Sequence, residues 1–173
     1  HQASASALGG DLPSRKRLAL ENAIAHGESR MGLVVALLES GKADDPRIAG
    51  IVEETLQAMA ERRDCADFVA VPLLWVWIRC RDALPAALQE RIRQTLLGFR
   101  YWVDEPGNDA MWFWSENHAL CFHVAQLLAG QSFAEDIFSA SGRIGAEQAE
   151  LAAGRLARWF DAVEEDGLAE WNS

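Results

Sequence analysis

Apolar residues recur along this chain at intervals of three and four, and no stretch holds a period of two for long, so the pattern predicts helices and no sheet. A first helical region runs from about Pro13 to Ser40 and breaks near Gly27. Pro13 suits a first-turn position, Leu33, Leu37 and Leu38 form the apolar stripe, and Gly41 is the stop. Asp45-Pro46 restarts the chain as cap and first turn of a helix whose inner face is Ile48, Ile51, Val52, Leu56 and Met59. Asp64 or Asp67 reads as the N-cap of the next helix. Its run VAVPLLWVWIRC is apolar all round, which predicts burial among other helices, with Trp75 and Trp77 in the core and Pro72 in the first turn or at a kink. Asp82 or a neighbour begins another helix, Pro85 to Phe99, with Leu88, Ile92, Leu96 and Leu97 inward. Beyond a central stretch, a helix from Glu116 to about Ala129 ends at Gly130. A last one, Ala146 to about Val163, offers Leu151, Leu156, Trp159 and Phe160 to the core. Short connections between such helices predict antiparallel hairpins in series.

The central stretch departs from this regularity. Between Trp102 and Trp114 lie three of the seven tryptophans, with Asp104, Glu105 and Asp109, and the polar cluster Ser115-Glu116-Asn117-His118 follows at once. Aromatic faces beside a few polar groups are what the floor of a ligand pocket is made of. Glu116 and Glu170 neighbour tryptophans that can desolvate a carboxyl and raise its pKa, which suits acid–base work. Trp112, Trp114 and Trp171 are the candidate stacking residues, and Asp104 and Glu105 candidate polar contacts. Plainer roles exist for all of these. Ser115 suits an N-cap, Glu116 complements a helix N-terminus, Asp104-Glu105 fits a solvated turn, and Asn117 and His118 can satisfy local hydrogen bonds.

Composition narrows the classes. With 173 residues and 50% hydrophobic content the chain can bury a sizeable core as one domain. Sixteen basic residues against 26 acidic ones give a net charge of −10, which excludes nucleic acid as an expected partner and disfavours anionic polymers unless arginines line the site. No apolar run reaches the roughly 18–20 residues of a membrane span. Cys65, Cys80 and Cys121 are odd in number and widely spaced, which suits free thiols. His118 and His123 stand five apart, so the i, i+4 pair of a helical metal site is missing; neither a metal ligand nor a cofactor is assigned, and His123 reads as a packed core histidine. Residues 1–12 read as a flexible arm before a helical domain over 13–173.

Arg63-Asp64-Cys65-Ala66-Asp67-Phe68, then Trp114-Ser115-Glu116-Asn117-His118, Leu128-Ala129-Gly130-Gln131 and Gly167-Leu168-Ala169-Glu170-Trp171-Asn172-Ser173 resemble, in this order, boxes of a largely uncharacterised bacterial and fungal family. That family looks like an α/α-toroid distantly similar to polysaccharide lyases and six-hairpin glycosidases. The resemblance implies an all-α fold of antiparallel helical hairpins forming an arc of a toroid, the chain being a piece of a longer protein. It also implies carbohydrate as partner, and lyase or hydrolase chemistry on a glycosidic bond. In the lyases, an asparagine neutralises the uronate carboxylate, a histidine takes the C5 proton and a tyrosine protonates the leaving oxygen. Carried over, these are Asn117, His118 and either Tyr101, the only tyrosine, or a group beyond Ser173. The alternative is a non-catalytic helical module that binds glycan or assembles with another chain. An arc leaves helix faces uncovered, so self-association or a companion chain is expected.

Overall fold

A computed structural model of the chain describes residues 11–28, 30–109 and 111–170. Most of the expected arm, and Trp171, lie outside these residues. The regular structure is all helical: α1 (Leu12–His26), α2 (Met31–Glu39), α3 (Arg47–Ala60), α4 (Ala66–Cys80), a 3-10 turn (Arg81–Ala83), α5 (Ala86–Gly98), α6 (Glu116–Ser132) and α7 (Gly145–Asp166). Among the described residues there is no strand, only one bridge between Ile137 and Ile144. None of the described helices is long and apolar enough to cross a membrane.

Local signals set most boundaries. Asp11 caps α1 through the Ser14 N–H (2.8 Å), with proline in the first turn, and the break between α1 and α2 falls at Gly27 as its weak helix propensity suggests. The helix that starts at Asp45-Pro46 begins one residue later, at Arg47, whose N–H is held by the Asp45 carboxylate at 3.0 Å. α6 continues through Gly130 instead of stopping there. A Cβ on Gly130 would lie 2.6 Å from the backbone of both Gly145 and Ala149, and one on Gly145 would lie 2.0 Å from the Phe133 carbonyl oxygen. These two glycines let α6 and α7 approach backbone to backbone, and this packing outweighs the helix-ending preference of glycine.

α4 is the hub, packing against α2, α3, α5 and α6. Leu73, Leu74, Val76 and Trp77 enter the core, and Pro72 is accommodated inside the helix. The expected all-round burial does not hold. Trp75 is 50% exposed and Ile78 52%, both on the side of α4 away from its neighbours, and Arg79 lies over the Trp75 ring. α7 corrects the pattern again: Leu151 and Phe160, read as core, are exposed, and Ala152 and Gln148 take the buried positions. A long helix packed along one side by small residues leaves its larger apolar groups outward.

Gly130→Ala is expected to cost about 1–3 kcal/mol of unfolding free energy in urea titrations, the usual penalty of overpacking against backbone. Gly50→Ala, on α3 with open space around its Cβ, should instead gain roughly 0.5–1 kcal/mol from helix propensity.

Candidate functional site

Among its described residues the loop between Phe99 and Ser115 has no helix, and long side chains hold several of its polar groups. Buried Arg100 donates to the carbonyls of Glu105 (2.9 Å) and Val103 (3.0 Å) and, with Arg62, reaches the Asp109 carboxylate at 3.2 and 3.1 Å. The Glu105 carboxylate accepts the Tyr101 N–H (2.9 Å) and the Gln148 amide (2.8 Å). Gln148 in turn bonds Gln126, which accepts from Arg155 at 2.8 Å. This polar seam joins the loop to α6 and α7. Sequence reasoning missed it, because glutamines at buried helix positions look like any solvated ones.

Two candidates are thereby assigned to the frame. Tyr101 is fully buried and its hydroxyl donates to the Leu96 carbonyl at 2.8 Å; burial, then the nearby Glu105 charge, push its pKa well above the usual value. In this position its hydroxyl does not face a ligand. Glu105, expected as a substrate contact in a solvated turn, is buried as well, and desolvation raises its pKa against the lowering effect of its hydrogen bonds. Asp104 stays half exposed, paired with Arg143 (3.0 Å) and Arg155 (2.9 Å).

At the start of α6, Ser115 occupies the N-cap position without a side-chain cap. The chain beyond α7 supplies the partners instead. The Glu170 carboxylate accepts the Asn117 N–H (3.1 Å), and the Glu116 carboxylate accepts the N–H groups of Ala169 (2.9 Å) and Glu170 (3.0 Å). The structure therefore brings Glu116, Asn117 and Glu170 together, with both carboxylates occupied by backbone donors. The Asn117 side-chain oxygen accepts from the Ser115 hydroxyl (2.8 Å) and the His118 N–H (2.7 Å), folding back on its own helix.

His118 faces α4. Its Nδ1 lies 3.0 Å from both oxygens of Asp67, which is completely buried in the first turn of α4, and its ring packs on Phe68 at 4.5 Å. Desolvation pushes the Asp67 carboxyl up, and the His118 hydrogen bond is the largest opposing effect. An ionised carboxylate only accepts, so beside ionised Asp67 the proton of this contact lies on Nδ1. Asp67 is thus not the cap that the sequence suggested. The N-cap of α4 is Cys65, exposed and in the left-handed region (φ 64°). Asp64 accepts the Cys65 N–H at 2.9 Å.

The tryptophans gather elsewhere. Trp112 and Trp114 are exposed with ring centroids 4.6 Å apart. Trp114, Trp102 and Trp159 wall an open hollow of about 380 Å³ over His123, Arg155 and Arg158, on a different face of α6 from His118. Arg155 lies over the Trp102 ring. His123 is buried against Trp102, and burial, then Arg155 and Arg158, hold its pKa down at about 4. The arginines of α7 went unread in the sequence; their i, i+3 spacing was the available signal.

No protein-family model matches the chain, and neither does any curated protein or solved structure.

Two outcomes follow from the buried groups. His118→Ala should leave Asp67 without its partner and cost about 1–3 kcal/mol in chemical denaturation, whereas Asp67→Asn, which keeps an acceptor, should cost less. His123, neutral when folded, ionises near pH 6.5 once unfolded. The unfolded chain then binds the extra proton, so stability falls between about pH 6.5 and pH 4 by up to roughly 3 kcal/mol. Comparing unfolding curves of the wild type and His123→Gln across that range checks this, and the variant's curve should be flatter.

Proposed function

We propose that this chain is a carbohydrate-recognising helical domain of the α/α-toroid type, and that the hollow between the Trp114 loop, α6 and α7 receives a sugar carrying an acidic group. The observation that supports this best is the pairing of ring faces with cations. Trp114 and Trp159 offer apolar surfaces to the flat side of a pyranose, and exposed Arg158, beside the Arg155 that Gln126 and Asp104 hold in place, offers charge-assisted hydrogen bonds to a carboxylate or sulfate. Arg158 supplies local positive charge here on a chain whose net charge is −10. Exposed Trp112 beside Trp114 extends the same platform. The toroid assignment rests on the sequence boxes together with the all-helical chain. Exposed Trp75, Ile78 and Phe160 fit a domain that meets further helices, of its own kind or of a companion chain.

A lyase reading has one specific point in its favour: an imidazole oriented by a buried carboxylate, next in sequence to an asparagine. Against it, Tyr101 is sealed in the core, and His118 stands on a different face of α6 from the stacking tryptophans. Hydrolase chemistry is disfavoured by the use of Glu116 and Glu170 in binding backbone N–H groups. Recognition is therefore the conclusion, with cleavage the second reading.

Calorimetric titration with uronate oligosaccharides should show binding that Trp114→Ala weakens roughly tenfold, equivalent to about 1.4 kcal/mol. Arg158→Ala should weaken the acidic ligand and leave neutral oligosaccharides unchanged. Failure of both ligand classes to bind would remove the proposal. Release of an unsaturated product, abolished by His118→Asn, would instead establish the lyase reading.

A further inference from the structure

Asp64 and Cys65 sit on the turn that enters α4, and His118 reaches them from α6. The oxygen, sulfur and nitrogen they offer all lie within 4.8 Å of one another. We propose that Asp64, Cys65 and His118 bind one divalent transition-metal ion, with Asp67 as the carboxylate behind the histidine. This inference is independent of the sugar hollow, which lies on another face.

The donor set selects the ion. Thiolate and imidazole suit zinc or cobalt and disfavour magnesium and calcium, which take oxygen ligands. One sulfur, one nitrogen and one oxygen leave a fourth tetrahedral position open, the pattern of zinc sites that carry a water. Zinc bond lengths put neighbouring ligand atoms roughly 3.3–3.8 Å apart. Asp64 and Cys65 are both exposed, so their side chains can rotate inward by the ångström or so required.

Asp67 supplies the feature a chance cluster lacks. With Nδ1 held by the Asp67 carboxylate at 3.0 Å, the His118 ring plane is fixed and metal binding falls to Nε2. A carboxylate behind a ligating histidine is the usual outer partner of a zinc site. The Phe68 ring closes the other side of the imidazole. The carboxylates of Asp64 and Asp67 on either side of Cys65 favour a cation at this place. On binding, the thiol releases one proton to solvent as the sulfur–metal bond forms. Cys65 also keeps a left-handed backbone that glycine or asparagine adopts more readily.

Cys65 and Phe68 border a hollow of about 420 Å³ that Arg30, Met31 and Ile51 also line. A metal held by Cys65 stands at its edge, and the open position is reachable by water or a small anion.

The test is cobalt titration of the reduced full chain, followed optically. A thiolate-to-cobalt charge-transfer band with the intense visible bands of a four-coordinate site is expected at one equivalent, with zinc displacing it. Cys65→Ser should remove the charge-transfer band while circular dichroism stays helical. Asp67→Asn should keep the band but weaken metal affinity about 10–100-fold. Absence of the band in the wild type, or its persistence in Cys65→Ser, would overturn the site. An Asp67→Asn variant of unchanged affinity would overturn the part assigned to Asp67.

Discussion

A carboxylate with no solvent exposure, in the first turn of the helix that touches most others, is the constraint on which this structure depends. Asp67 has been taken out of water at a cost no apolar neighbour can offset, and His118 from α6 provides the compensation. The pair favours one register between α4 and α6, since a shift by one residue on α6 would set Asn117 or Ala119 in place of His118. Dispersion and burial hold the core together in many near-equivalent ways; this single polar contact selects among them. It also places the ring of His118 against Phe68 and beside Asp64 and Cys65, so the same contact that fixes the helices shapes the surface next to them.

The fold class was legible because helix signals are local. Apolar spacing, Pro13 in a first turn and the break at Gly27 act within a few residues, and helices formed near each place expected. What could not be read was which side of a helix would find a neighbour. The run around Trp75 looks buried from composition alone, yet only part of its circumference is covered. Leu151 and Phe160 fail for the converse reason. Gly130, Gly145 and Ala149 bring α7 so close to α6 that large side chains are excluded from the contact and turned outward.

The candidate site divided in the same way. Aromatic density between Trp102 and Trp114 pointed to a ligand surface, and Trp114 does wall a hollow. The cluster Glu116-Asn117-His118, contiguous in sequence, spreads round the first turn of α6 into two environments. Glu116 and Asn117 bind the chain after α7, and His118 turns to α4. Adjacent residues on a helix point about 100° apart, so a contiguous motif rarely forms one constellation. Asp67, Gln126 and Gln148 were invisible for a different reason: their partners lie 22 to 51 residues away, and nothing in the neighbouring sequence names them.

The backbone contact at Gly130 has a consequence for timing. Where the two main chains touch there is no side-chain layer to rearrange, and further along the pair the bonds among Gln126, Gln148 and Arg155 tie the helices, so the groove they share resists widening. Trp159, Arg155 and His123 are presented by a rigid unit. A solute entering there meets walls already in their final places, with little ordering left to do. Encounter should then be governed by diffusion and local charge, and differences among solutes should appear in how long each one stays.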